Sequence, residues 1–169
     1  MRVEIVEKLP EISWETREVA KDSPENRALQ GFLSTARSED SLFSVECPGF
    51  GAVHDAGQSS EVYCGDFIIR FRSPEDARNK GLHFTFLEKL SELFRNAGSA
   101  ATLALKLSVI NERLSDESKG GLALGLRLEA TGDSVEQAEL RWGLGLAHVQ
   151  QGLLFASRWL RQKSGSRAN

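Results

Sequence analysis

Between Leu122 and Leu128 a leucine stands at every second position, and Ala123, Gly125 and Arg127 fill the gaps. An apolar residue every two positions marks a strand with one buried face. Leu103, Leu105, Leu107 and Val109 repeat the pattern, and the polar, glycine-ended stretch 111–121 between the two runs predicts a long hairpin. The alternation stops at Thr131-Gly132-Asp133-Ser134, where Asp133 with Glu136, or Ser134 with Gln137, is spaced to cap a helix. Val135, Ala138, Trp142, Leu146, Val149, Leu153 and Leu160 then recur at helical spacing and predict a long closing helix ending near Arg161. Leu140, Leu144, Phe155 and Trp159 widen its apolar stripe. Gly143, Gly145 and Gly152 interrupt it, each at a cost of about 1 kcal/mol relative to alanine. Three such losses imply close backbone approach, to the sheet or to a second copy of the chain.

Upstream, Val3 and Ile5, with Val6, predict a short first strand closed by Pro10. Residues 11–22 are mixed in pattern, a loop or a helical turn around Trp14. Ser23-Pro24-Glu25 supplies a capping hydroxyl, a proline suited to the first helical position and an acid at the positive helix end. Leu29, Phe32, Leu33 and Ala36 continue that helix to near Arg37. Leu42 to Cys47 reads as a strand with Phe43, Val45 and Cys47 on one face, and Pro48-Gly49-Phe50-Gly51 punctuates it before Ala52 and Val53. Glu61 to Arg72 reads as one strand, or as two broken at Gly65-Asp66, with Phe67, Ile69 and Phe71 opposite Ile68, Arg70 and Arg72. Connections this short exclude crossover helices, so the region predicts an antiparallel meander. Ser73-Pro74-Glu75-Asp76 repeats the helix-start chemistry, Gly81 to Thr85 alternates like a strand, and Phe86, Leu87, Leu90, Leu93 and Phe94 restore the helical period up to a stop at Gly98.

A chain of 169 residues with a net charge of -3 suits one domain, spanning 1–161, followed by a polar tail, 162–169. That charge lacks the basic footprint of a nucleic-acid binder. Arg158, Arg161, Lys163 and Arg167 suit the negative end of the last helix without the interleaved aromatics of a nucleic-acid groove. No apolar run reaches signal-peptide or membrane-span length, so the expectation is a cytoplasmic protein, with no membrane partner, whose Cys47 and Cys64 stay reduced.

The best constellation for chemistry is Cys47, His54, Asp55 and Cys64, gathered around one meander. The cysteines lack the short spacing of a zinc knuckle. A thiol activated by His54 is the other chemistry these residues allow, and it would need a cavity lined by Phe43, Phe67 and Phe71. His83 and His148 stand alone, and neither Gly49-Phe50-Gly51 nor Gly143-Leu144-Gly145 has the strand-turn-helix context of a phosphate loop. Glu112, Asp116 and Glu117 sit beside Arg113 and Lys119 in a mixed-charge loop. The sequence points to no cofactor, no metal centre and no catalytic set.

From Ser23 onward the order is helix, about three strands, helix, two strands, helix. With the Ser73-Pro74-Glu75 start, the alternating strands Leu103–Val109 and Leu122–Leu128, and the closing helix from Val135 to Trp159, it resembles the small α+β fold of class I type III secretion chaperones and the related YbjN-like proteins. That resemblance, which covers roughly residues 23 to 161, implies a non-enzymatic homodimer that binds an extended segment of another protein along a sheet or an apolar groove.

The expected fold is therefore α+β: an antiparallel sheet of about five or six strands with helices on one face, its core built on Leu103, Leu105, Leu107, Leu122, Leu124, Leu126 and Leu128. The expected function is a chaperone-like or adaptor-like protein-binding module with Trp142, Phe155 and Trp159 as its contact residues. An immunity or antitoxin-type binder is one alternative. The other is a small-molecule or enzymatic domain using the 43–71 meander through Cys47, His54, Asp55 and Cys64.

Overall fold

The computed structural model describes residues 3–6, 24–39, 41–53, 60–96, 103–112 and 121–165. Trp14, His54, Asp55, the charged loop 113–120 and tail residues 166–169 lie outside the described residues. The elements are strand β1 (Val3–Val6), helix α1 (Pro24–Arg37), strands β2 (Phe43–Val53) and β3 (Glu61–Phe71), helices α2 (Pro74–Arg78) and α3 (Lys80–Asn96), strands β4 (Leu103–Glu112) and β5 (Gly121–Gly132), and helix α4 (Val135–Gly165).

The described strands form one sheet in the order β1-β4-β5-β3-β2. Four of them, β2 to β5, pair antiparallel, with Leu107 opposite Leu126 in the β4–β5 hairpin and Phe67 opposite Leu126 across β3–β5. The antiparallel part is thus smaller than the five or six strands expected. β1 joins the β4 edge in parallel, Val3 facing Leu107 in register, because the chain returns to it only after the intervening helices and strands.

β2 runs unbroken through Pro48-Gly49, where the sequence suggested an interruption. Between Glu46 and Gly49 the register against β3 slips, Glu46 lying opposite Ile68 and Gly49 opposite Asp66. Such a bulge adds one residue to one strand. It inverts the facing, so that Phe43 and Val45 before it and Phe50 and Ala52 after it all join the core. β3 is likewise continuous through Gly65-Asp66.

Helices α1, α3 and α4 cover one face of this sheet. Leu29, Phe32 and Ala36 of α1, Phe86, Leu87 and Leu90 of α3, and Ala138, Trp142, Leu146, Val149 and Leu153 of α4 meet the sheet residues in one apolar cluster. Of the seven leucines expected at the centre, Leu107, Leu124, Leu126 and Leu128 are buried, while Leu103, Leu105 and Leu122 are half-buried at its margin. Gly81 to Thr85 is helical, not extended. Asn79 ends α2 in an extended conformation, and its side-chain Oδ1 accepts from the Leu82 N–H at 3.1 Å to begin α3. Ser134 caps α4 by accepting from the Gln137 N–H at 3.3 Å, and the Gln137 side chain returns to the Asp133 N–H at 2.8 Å.

Candidate functional site

Cys47 lies at the bulge of β2 and Cys64 in β3, where Cys64 pairs in register with Gly51, not with Cys47. Both are free. Cys47 is half-buried and points its thiol toward the Gly49 carbonyl at 3.8 Å, whereas Cys64 is buried. Burial pushes each thiol up to about 12, and nearby carboxylates add to the effect, Asp66 for Cys47 and Glu129 first for Cys64. A thiol raised in this way is almost wholly protonated at neutral pH, so neither cysteine is a poised nucleophile. The aromatic cavity that an enzymatic meander requires is also filled. Phe43 packs on Phe71 and Phe86 at 4.9 and 4.8 Å between ring centroids, and Phe67 meets Phe32 edge-on at 5.1 Å. Among the described residues no group of His, Cys, Asp and Glu is arranged to hold a metal.

The sheet face turned away from the helices carries charge. Asp66 of β3 stands opposite Arg127 of β5, and the guanidinium grips the carboxylate with two bonds, Nε to Oδ1 at 2.7 Å and Nη2 to Oδ2 at 2.8 Å. Asp66 is buried, and this bidentate bond raises Arg127 above its ordinary value. Beside the pair, Lys106 reaches Glu129 at 2.6 Å, and Arg70 reaches Glu46 at 2.9 Å. Both oxygens of Asp66 are engaged, which suits a structural pair better than a general base. Sequence reading missed it because Asp66 resembled a strand break. The signal was the polar phase of β5, in which Arg127 must face the same way as its cross-strand neighbour.

His83 is a structural pin. It is fully buried in α3, with Nδ1 2.9 Å from the Asn79 carbonyl and Nε2 3.0 Å from the Leu122 carbonyl of β5, and its ring meets Phe71 edge-on. The helix start is thereby fastened to the sheet.

On α4 the three expected contact residues separate. Trp142 is fully buried: its ring lies over Gly65, between Tyr63 at 5.3 Å and Phe67 at 6.1 Å, and its Nε1–H donates to the Leu128 carbonyl at 3.2 Å. Trp142 therefore belongs to the core, since no part of its ring reaches the surface. Trp159 is half-buried against the same cluster. Phe155 is 48% exposed. Leu140 and Leu144, expected to widen the buried stripe, are 54% and 58% exposed, and Leu154 is 40% exposed. The residues Leu140, Leu144, Ala147, Gln151, Leu154 and Phe155 follow one another at steps of four, three, four, three and one, on the side of the helix opposite Trp142, Leu146 and Val149. Helix α4 thus carries a second, exposed apolar face.

Comparison with protein-family models, curated proteins and solved structures finds no match to this chain. Among the described residues no helix is long and apolar enough to cross a membrane.

Proposed function

We propose that this chain is a non-enzymatic protein-binding module, chaperone-like or adaptor-like, that takes its partner on the outward face of α4. The observation that carries the reading is the gathering of Leu140, Leu144, Leu154 and Phe155, all large and all exposed, on one face of one helix. Large exposed apolar side chains gathered on one face are the kind of surface that marks interaction sites. A helix that presents an apolar face is a recurring element of protein recognition, docking that face against apolar surface of a partner. The raised thiols and the ring-filled core beside the meander favour binding over chemistry.

The test compares wild type with the double variant Leu144→Ala, Phe155→Ala. Both positions are exposed, so the variant is expected to keep its circular dichroism and to stay within about 0.5 kcal/mol of wild-type stability. A protein that co-purifies with wild type is expected to be lost from the variant. The reading fails if the same proteins co-purify with both forms, or if their loss accompanies unfolding.

A further inference from the structure

We infer that the first occupant of the outward face of α4 is a second copy of this chain, docked antiparallel about a two-fold axis near Ala147. This rests on the reading of that face as a binding surface and names its partner. The face has a heptad-like rhythm, with steps of four and three from Leu140 through Leu144, Ala147, Gln151 and Leu154 to Arg158, which is the spacing by which one helix presents a seam to another. All of these positions are exposed.

The seam is self-complementary in one orientation only. Leu140 and Leu154 lie seven residues either side of Ala147, so a two-fold there sets each leucine against the other in the second copy. Glu136 and Arg158 lie eleven residues either side. Antiparallel docking thus brings an acid against a base at both ends. Parallel docking would set Glu136 beside Glu136 and Arg158 beside Arg158, which repels. The small Ala147 at the crossing point lets the two helices approach closely. The seam from Glu136 to Arg158 is roughly 33 Å long at the α-helical rise. One helix against one helix is a small contact, so a reversible dimer with a dissociation constant of about micromolar order is expected.

Sedimentation equilibrium over a concentration series tests the inference on the full chain. The wild type is expected to move from the monomer mass of 18.6 kDa towards twice that value as concentration rises through the micromolar range. Leu144→Glu with Leu154→Glu is expected to hold the protein at monomer mass, with unchanged circular dichroism. Glu136→Arg alone is expected to weaken the dimer at least tenfold, and adding Arg158→Glu to restore it. Both reversals oppose the α4 dipole and lower the stability of the monomer, so recovery of the dimer cannot come from a sturdier fold. A wild type that stays monomeric at hundreds of micromolar overturns the inference, as does a dimer indifferent to the leucine changes or to the charge exchange. A monomeric wild type whose co-purifying protein is lost with Leu144→Ala, Phe155→Ala overturns the second-copy assignment while leaving the binding reading intact.

Discussion

At the scale of single residues, the decisive polar feature is Asp66 with Arg127. A buried carboxylate that grips a guanidinium at 2.7 and 2.8 Å contributes little net stability, because both charges leave water to meet. Breaking the pair is another matter. Asp66→Ala leaves the Arg127 charge in a largely buried site without its bidentate partner, at an expected cost of about 3–5 kcal/mol. Replacing both residues with apolar side chains of similar volume is expected to recover most of that loss. Urea unfolding of the two single variants and the double one checks it. A double variant as unstable as the sum of the singles would show that the two residues act independently. Neither member was legible as a pair in the sequence, since they stand 61 positions apart and meet only through strand register.

At the scale of elements, glycines record where secondary structures press together. A β-carbon added at Gly65 would lie 2.6 Å from the Trp142 ring, and one at Gly132 would lie 2.6 Å from the backbone nitrogen of Ala138. Neither neighbour is free to yield: the Trp142 ring is held by its bond to Leu128, and Ala138 belongs to the first turn of α4. Alanine at either position is expected to destabilise by about 1–3 kcal/mol. At Gly145 the nearest atoms are methyl ends of Leu103 and Leu128, at 3.1 and 3.2 Å. There a gain of about 1 kcal/mol in helix propensity offsets the crowding, and Gly145→Ala is expected near neutral. Gly31 in α1 has nothing within 4 Å, so Gly31→Ala is expected to stabilise by up to about 1 kcal/mol. Thermal melts of the four variants test this ranking. The close approach at Gly145 was readable from a glycine inside a helical pattern, as were the Ser73-Pro74-Glu75 helix start and the two leucine strands, because each is a local signal. The continuity of β3 through Gly65 was not. That glycine leaves room for an indole 77 positions later in the chain, and local pattern reads such a gap as a break. The β2 bulge escaped for the same reason, since an extra residue in a strand shows only against its neighbour.

At the scale of the whole molecule, α4 has one apolar face buried against the sheet and one exposed, and the contrast between two of its aromatic residues measures that division. Trp142 touches Phe50 of β2 and Tyr63, Gly65 and Phe67 of β3, and donates to Leu128 of β5, so one side chain ties three strands to the helix. Phe155 stands thirteen positions later on the outward side. Pattern alone grouped both as contact residues, because helical spacing marks an apolar position without saying which of two apolar faces the sheet will occupy. Trp142→Ala empties the junction and is expected to cost about 3–5 kcal/mol, a large part of the roughly 5–15 kcal/mol that holds a domain of this kind together. Phe155→Ala removes only exposed surface and is expected to shift stability by less than about 0.5 kcal/mol in the monomer. Urea titrations at a concentration too low for self-association isolate that comparison. Near-equal losses at the two positions would mean that α4 buries both faces and has no free seam to offer a partner. A large loss at Trp142 with none at Phe155 leaves the outward face free of any folding role, as the proposed docking on that face requires.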